Sequence, residues 1–276
     1  MKRLAALLLI AGCAHVHESA PSRGDSAAEV WSRYADSVDD AEVSVALVRE
    51  GVPTFAGDPK AIYRIGEFTG FFVIESALRM EDRGAIDLDR SPVAFAKFAL
   101  APRYADVSMR ELAELRAELI DDDGSLVPVV ERFLWASDAR IALFAAVLED
   151  AVGKSVAEIV RDEITLPLQL HDTSFTPASD KTPRVAARGE PFGGLYSSVE
   201  DCVKFFASSK RLRESALMRS RTVRGVALGY AVGRVRGGRR FVAFPAEGSD
   251  FLLVFRNRTG WMGNPDFKYA AEIFAE

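Results

Sequence analysis

The side chains that most often carry out catalysis occur in this chain without the spacing that their chemistry requires. The three histidines are His15, His17 and His171, and neither His-Glu-x-x-His nor Gly-x-Ser-x-Gly is present. Ser-x-x-Lys, in which a lysine activates a serine three residues earlier, is also absent. His15 and His17 lie in a small, polar stretch, which favours a solvated tether over a metal site. We therefore predict no metal and no cofactor.

The cysteines indicate processing rather than catalysis. Lys2 and Arg3 precede a short apolar run that leads into Ile10-Ala11-Gly12-Cys13, and this sequence matches a bacterial lipobox. We expect cleavage before Cys13 and lipidation of this cysteine; the alternative is an ordinary secretory signal with a chance cysteine. Cys202 would then stand alone, so no disulfide forms within the chain. Its place in a helical pattern favours a small buried side chain over a nucleophile.

Composition and charge restrict the class of protein. The chain has 276 residues, of which 49% are hydrophobic and 27% are charged. Such a chain can build one large domain or two lobes with a core, and its composition argues against disorder. The formal charge is −5, and loss of Lys2 and Arg3 with residues 1–12 would leave about −7. We expect no nucleic-acid partner.

Strand patterns dominate the first part of the chain after a helix predicted from about 27 to 39. Val43–Val48 reads as a strand, and Gly51-Val52-Pro53 turns it into a second strand near 53–56. Ala61–Ile65 is a third, short strand. The helix that follows runs from about Gly70 to Arg83, and the next residue is a glycine suited to the left-handed position that ends a helix.

Helix-start signals recur in the middle of the chain, and strand patterns return near its end. Helices are predicted to begin at Ser108, Ser137-Asp138, Ser155 and Ser198. Strands are predicted over 230–236, 241–244 and 251–255, with a Gly237-Gly238 hairpin turn and a last helix from about Asp266. This order predicts an α+β fold, in which an antiparallel sheet is closed by the N- and C-terminal segments around an inserted helical lobe.

Several stretches together resemble the serine β-lactamase and penicillin-binding-protein family, from about residue 40 to 256. The similar stretches, in the family's order, are Ile65–Val93, Gly153–Phe175, Gly193–Asp201 and Leu228–Tyr230. The second resembles the signature "P-L-G-M-x-x-T-x-F", and the third resembles "G-G-L-x-S-T-x-x-D". The resemblance implies an αβα sandwich with a helical subdomain and, in an ordinary member, a serine hydrolase.

The family's first catalytic motif is degenerate in this chain. The resemblance implies Ser-x-x-Lys at the first turn of the central helix, and the matching residues are Glu67-Phe68-Thr69-Gly70. An acid therefore stands at the position of the nucleophile, and a glycine stands at the position of the base. Glu67 suits a helix N-terminus, so it is expected either to stabilise the turn or to bind a cationic or polar ligand.

The other two motifs are also degenerate. The family's Tyr-x-Asn matches Trp135 and Ser137, and an indole has no proton that titrates near neutral pH. The resemblance places the third motif, Lys/His-Thr/Ser-Gly, in residues 242–248, which contain Phe244 and Pro245 but no cation. Ligand-binding candidates are therefore Glu67, Thr69, Trp135 and Phe244.

Three hypotheses of function remain open from the sequence. The first is a catalytically inactive, β-lactamase-related lipoprotein that binds or scaffolds in the cell envelope. The second is a hydrolase with a non-standard nucleophile, for which Thr69, Ser137 and Ser197 are the candidate hydroxyls. The third is a relic domain without a ligand, which a cleft filled by Trp135 and Phe244 would favour.

The predicted organisation is a signal peptide (1–12), a lipidated tether (13–25) and one domain (26–276). In that domain, 26–84 and 221–276 form a sheet lobe, and 85–220 form a helical lobe. A lipid anchor implies a periplasm-facing membrane protein, with the outer membrane weakly favoured by Ala14. The arginine-rich segment 210–240 is either a set of solvated faces or a docking surface for an envelope polymer or protein.

Overall fold

The computed structural model describes residues 27–36, 43–114, 139–175, 194–214, 219–235, 238–257 and 265–275. The strands are β1 (Val43–Arg49), β2 (Val52–Ala56), β3 (Tyr63–Arg64), β4 (Tyr196–Ser197), β5 (Arg219–Val223), β6 (Val226–Val235), β7 (Gly238–Pro245) and β8 (Phe251–Arg256). The helices are α1 (Ala27–Asp36), α2 (Thr69–Asp82), α3 (Met109–Ala113), α4 (Ala139–Val152), α5 (Val156–Val160), α6 (Val199–Ser208), α7 (Lys210–Glu214) and α8 (Pro265–Ile273).

Within the described residues, the centre of the fold is a six-stranded antiparallel sheet in the order β2-β1-β8-β7-β6-β5. The N-terminal strand β1 pairs with the C-terminal strand β8, and Val45 lies opposite Val254. The chain therefore closes its sheet with its two ends, as the sequence predicted. A mixed fold of helices and an antiparallel sheet is confirmed.

The two faces of the sheet bury different helices because side chains alternate along a strand. On β1, Val45 and Leu47 pack with α1 and α8, and we call this side the outer face. Ala46 and Val48 pack with α2, α4 and α6, and we call this side the inner face. Two helical layers thus enclose one sheet, which is the arrangement of an αβα sandwich.

Helix boundaries follow the capping signals. The Ser108 side chain accepts a hydrogen bond from the Glu111 backbone N–H, and the Glu111 carboxylate accepts from the Ser108 N–H. Ser155 and Glu158 form the same reciprocal cap before α5. These two predicted caps are confirmed. Gly84, with a φ of +73°, adopts the predicted left-handed conformation after α2.

The short elements are where the sequence-based prediction and the structure differ. β4 was not predicted, because two residues carry too little pattern to indicate a strand. β5 was also not predicted, and β6 begins earlier than Tyr230. Gly237 and the predicted helix start at Ser137-Asp138 lie outside the described residues.

Candidate functional site

The turn that precedes α2 is anchored by a short ribbon. β3 pairs with β4, and the backbone N–H of Ile65 then donates to the carbonyl of Leu195 at 2.9 Å. The chain continues as a 3₁₀ turn over Gly66–Phe68 and enters α2 at Thr69. We call residues 65–70 the Glu67 turn. Its first glycine has a φ of +54°, a conformation that costs glycine little and a residue with a β-carbon more.

Glu67 is the accessible side chain of this turn. Of the six residues from Ile65 to Gly70, all are buried except Glu67, which is half-buried. Its carboxylate belongs to the first turn of the helical segment, where the partial positive charge of a helix N-terminus favours an anion. A ligand that approached the turn would therefore meet a carboxylate.

Thr69 is structural in this arrangement. Its side chain has no exposed surface, and its hydroxyl oxygen accepts a hydrogen bond from the Leu195 backbone N–H at 2.9 Å. Together with the bond between Ile65 and Leu195, this contact holds the turn against the segment that precedes β4. Gly70, which the resemblance matches to the family's base, is buried and supplies no side chain.

The strand in close contact with the Glu67 turn is β6. A β-carbon added to Gly233 would lie 2.5 Å from the Phe68 ring, so only glycine admits the ring at this distance. Our assignment of the family's third motif to residues 242–248 is therefore corrected to β6. The two residues before Gly233 are Ala231 and Val232, which offer neither a cation nor a hydroxyl. β6 and β7 are both rich in apolar residues, so the local sequence pattern could not identify the strand beside the turn.

Phe244, the candidate on β7, lies elsewhere on the inner face. It pairs with Gly229, four residues along β6 from Gly233. Its ring packs against Phe206 and Phe251, with centroid distances of 6.1 and 5.6 Å. Phe244 therefore belongs to the aromatic core and to a separate cavity. The candidates Trp135 and Ser137 lie outside the described residues.

Ser197, another candidate hydroxyl, belongs to a buried polar cluster that the sequence analysis did not identify. It has no exposed surface, and its Oγ lies 2.8 Å from Oγ1 of Thr173. Thr173 in turn donates to the Asp201 carboxylate at 3.0 Å. Cys202 Sγ contacts Ser197 Oγ at 3.3 Å, and burial raises the pKa of this thiol to about 12. The predicted burial of Cys202 is confirmed, and its thiol is unreactive near neutral pH.

Arg240 is a second important residue that sequence analysis missed. It is 2% exposed, and its guanidinium donates to the carbonyls of Arg64 at 3.0 Å and Arg256 at 2.7 Å. The guanidinium carbon lies 5.0 Å from the Tyr63 ring centroid and 5.2 Å from that of Phe255. No carboxylate of the described residues forms an ion pair with it. Burial lowers the pKa of Arg240 to about 9, so it remains charged at neutral pH.

Arg240 therefore anchors the end of β3, which leads into the Glu67 turn. The residue whose carbonyl it holds, Arg64, stands three positions before Glu67. One sequence signal could have indicated the position of Arg240. It lies two and four residues before the inner-face residues Val242 and Phe244, and side chains two residues apart on a strand point to the same face. The chemistry of the side chain, a charge in an apolar alternation, led us to treat it as solvated.

The cations of the segment 210–240 that the structure describes do not form a single patch. Arg211 pairs with Glu81 and Asp82, whereas Arg224 pairs with Glu272. Arg240 is buried, and the exposed arginines of β5 lie on an edge strand of the sheet. Different members of the segment thus face different parts of the molecule.

The part of the chain that the structure describes contains neither a metal-binding cluster nor a membrane-spanning helix. His171 is exposed, and no cluster of three or more histidine, cysteine or acidic side chains there could hold a metal ion. Among the same residues, no helix combines the length and the apolar character needed to span a bilayer.

Comparisons with known proteins agree with this architecture. The family model described as Beta-lactamase matches residues 41–264. A Beta-lactamase-like protein of Arthroderma benhamiae is 32% identical in an alignment of 99 residues, which covers 32% of this chain and 16% of that protein. The match thus spans a small part of the curated relative's length.

Three solved structures share this fold. A class C beta-lactamase from Rhodobacter sphaeroides has a TM-score of 0.67 and 15% identity, with 90% of this chain and 98% of that chain covered. A Beta-lactamase/D-alanine carboxypeptidase from Yersinia pestis, complexed with citrate, has a TM-score of 0.64 and 17% identity, with 85% and 91% covered. A penicillin-binding protein homologue from Pyrococcus abyssi, an octamer, has a TM-score of 0.61 and 17% identity, with 88% and 76% covered. Because the family model covers most of the sequence, the chain belongs to the Beta-lactamase family.

Proposed function

We propose that this protein is a non-catalytic member of the Beta-lactamase family that binds a ligand at the Glu67 turn. The observation that carries the proposal is the composition of the turn itself. Glu67 is its one accessible side chain; the turn contains no lysine, and its one hydroxyl, that of Thr69, is buried and accepts a hydrogen bond from the Leu195 N–H. Acyl transfer needs a nucleophile that can reach the substrate and a base within hydrogen-bond reach of it, and the turn has no exposed hydroxyl and no lysine.

The sign of the charge at Glu67 indicates the class of ligand. A carboxylate at the mouth of the turn favours a cation or a group rich in hydrogen-bond donors. An anionic ligand at about 4 Å from it would be disfavoured by roughly 1 to 4 kcal/mol, depending on solvent screening. We therefore propose a cationic or donor-rich ligand, such as an amine-bearing peptide or envelope component.

The hydrolase alternative depends on another hydroxyl, and the surroundings of the described candidates argue against it. Thr69 and Ser197 have no exposed surface. The Thr69 oxygen holds the Leu195 N–H, and the Ser197 hydroxyl is engaged with Thr173. An attacking oxygen must reach the substrate, so neither hydroxyl suits this role without a rearrangement of the turn.

The proposal of inactivity is tested by covalent probes. The full chain is incubated with a fluorescent penicillin and, separately, with a fluorophosphonate, and its intact mass is then measured. An active serine β-lactamase serves as the positive control for both probes. We expect no adduct on this protein. A stoichiometric adduct would overturn the proposal, and peptide mapping would identify the nucleophile.

The proposal of binding is tested separately at Glu67. Calorimetric titration compares amidated lysyl-lysine with glutamyl-glutamate, on the unaltered chain and on Glu67→Gln, which keeps the side-chain size and removes the charge. We expect the cationic peptide to bind more tightly and to lose at least fivefold in affinity on Glu67→Gln. Equal affinity of the two peptides, or no effect of the substitution, would refute a ligand role for Glu67.

We further propose that lipidation of Cys13 anchors the protein in a bacterial envelope, facing the periplasm. The lipobox sequence supports this proposal, and two or more acyl chains would hold the protein firmly. Fractionation of cells that express the full chain tests it. We expect the protein in the membrane fraction with a lipid-modified Cys13, and a Cys13→Ala variant should not carry the lipid. An unmodified Cys13 in the unaltered chain would contradict the proposal.

A further inference from the structure

A cavity lies at the other end of the inner face from the Glu67 turn. Its volume is about 350 Å³, and Lys210 and Arg213 of α7 line one side. Phe244 and Pro245 at the end of β7, with the turn that follows, line the other side. A volume of this size lies within the range of small-molecule sites. The cavity therefore combines two positive side chains with an aromatic surface.

Arg213 is held in place without a carboxylate. Its Nη1 donates to the carbonyl of Ser249 at 3.2 Å, and its guanidinium carbon lies 5.7 Å from the Phe244 ring centroid. Its Nε is buried and has no hydrogen-bond partner. Among the described residues, no acid lies within ion-pair distance of Arg213. The guanidinium is thus fixed at the cavity by a backbone carbonyl and an aromatic ring, and an anionic group in the cavity would meet its positive charge.

The neighbouring arginine on the same helix, in contrast, is paired with carboxylates. Arg211, two residues earlier on α7, forms ion pairs with Glu81 and Asp82. These acids belong to α2, so the charge of Arg211 is used in holding two helices together. The positive charge of Arg213 has no such use within the described fold.

We propose that this cavity binds an organic anion that carries one carboxylate or phosphate group on an apolar body. The planar guanidinium of Arg213 matches the two oxygens of such a group, and Lys210 adds a second positive charge to the lining. Phe244, which is 7% exposed, and Pro245 provide an apolar surface for the rest of the molecule. The Glu67 turn has the opposite charge and selects the opposite class of ligand.

The cavity and the turn are separate sites within one aromatic layer. The Phe206 ring lies 6.1 Å from that of Phe244 and 5.8 Å from that of Phe68. A ligand at Phe244 would thus contact the aromatic layer against which the Glu67 turn packs, but it would not reach the turn. The proposal does not depend on the activity or inactivity of the turn.

The test uses three water-soluble probes that share one apolar body. The full chain is titrated with 1-naphthoate, 1-naphthyl phosphate and 1-naphthylmethylammonium, and binding is followed by naphthalene fluorescence and by calorimetry. We expect at least one anion to bind at least tenfold more tightly than the cation. The tighter of the two anions identifies the head group as a carboxylate or a phosphate. Failure of both anions to bind, or equal binding of the cation, would overturn the proposal.

Two charge-removing substitutions on one helix provide the matched control. Arg213→Gln should weaken the bound anion at least tenfold, whereas Arg211→Gln should change its affinity less than twofold. Arg213→Lys keeps the charge without the planar fork, and we expect an intermediate loss, so the proposal stays testable if the glutamine variant misfolds. Equal losses for Arg211→Gln and Arg213→Gln would indicate a general charge effect and refute a site at Arg213.

Discussion

The two ends of the inner face of the sheet are built in opposite ways. At one end, Phe68 fills the space beside Gly233, and the Glu67 turn is packed and hydrogen-bonded. At the other end, Phe244 and Arg213 border a cavity of about 350 Å³. Phe206 contacts the rings at both ends.

The difference separates the family's fold from the family's chemistry. In the Glu67 turn, Phe68 and Thr69 are buried in packed and hydrogen-bonded positions, and Glu67 is the one side chain that reaches the surface. The packing there depends on close contacts, which tolerate little change. The cavity end depends on charge and empty volume, so we expect substitutions there to alter binding more than stability.

The largest expected effect tests how tightly the turn end excludes solvent. Cys202 has a pKa of about 12 because of its burial. At pH 8, a free thiol with a pKa of about 8.5 is roughly one-quarter ionised, whereas a thiol with a pKa of about 12 is ionised in about one molecule in 10,000. We therefore expect iodoacetamide to modify Cys202 at least several hundredfold more slowly in the folded protein than in guanidinium chloride, as measured by peptide mass.

The same residue predicts a pH dependence of stability. The pKa of Cys202 in the folded state is raised above its ordinary value. The contribution of this thiol to the free energy of unfolding is therefore fully present below about pH 9. The contribution is lost as the pH rises from about 9 to 12, with a slope of at most about 1.4 kcal/mol per pH unit. A Cys202→Ala variant should lose this component of the slope. Rapid labelling of Cys202 by iodoacetamide in the folded state would contradict tight packing at the turn end.

The next effect tests the contact between Gly233 and Phe68. In Gly233→Ala, the new β-carbon would lie 2.5 Å from the Phe68 ring and 3.3 Å from its backbone nitrogen. Because Phe68 is fully buried, we expect a loss of about 2–3 kcal/mol in the free energy of unfolding, measured with urea. The control is Gly229→Ala on the same strand, which has open space around its β-carbon and should change stability by about 0.5 kcal/mol or less.

A smaller effect tests the hydrogen bond that holds the turn. Thr69→Val keeps the shape of the side chain but leaves the buried Leu195 N–H without its acceptor. We expect a loss of about 1–2 kcal/mol in stability. Thr69→Ser retains the oxygen and should lose less. If the two variants were equally stable, the hydrogen bond would not be what anchors the turn.

The smallest effect tests the cavity end. Arg211→Gln removes two partly exposed ion pairs and should lower stability by about 0.5–1 kcal/mol. Arg213→Gln removes a cation without a described carboxylate partner, so we expect a change below about 0.5 kcal/mol. Thermal unfolding at low and high salt distinguishes them, because added salt should weaken only the effect of Arg211→Gln. A larger loss from Arg213→Gln would indicate that Arg213 is mainly structural.

Much of the fold was predictable because its signals are local. The valine-rich run over Val43–Val48 indicated β1, and the reciprocal Ser-Glu caps indicated the starts of α3 and α5. The unpredicted strands β4 and β5 lack such signals. β4 has two residues, and β5 is an exposed edge strand whose side chains carry no apolar alternation.

The candidate site was predictable in type but not in placement. The degenerate motif at Glu67 and Gly70 could be seen from the resemblance alone. The identity of the strand beside it could not, since β6 and β7 are both rich in apolar residues and only the packing of the turn distinguishes them. Arg240 and the cluster around Ser197 were missed for a related reason, because their partners lie far away along the chain.

The sequence by itself determined the order of the elements, the replacement of the family's serine and lysine, and the lipobox prediction at Cys13. These properties depend on residue type and short spacing. Only the tertiary structure decided that Thr69 is a structural acceptor, that Gly233 lies against Phe68, and that Arg213 borders a cavity without an acid beside it. Those outcomes depend on contacts between segments that lie far apart along the chain. Local sequence patterns do not predict such contacts.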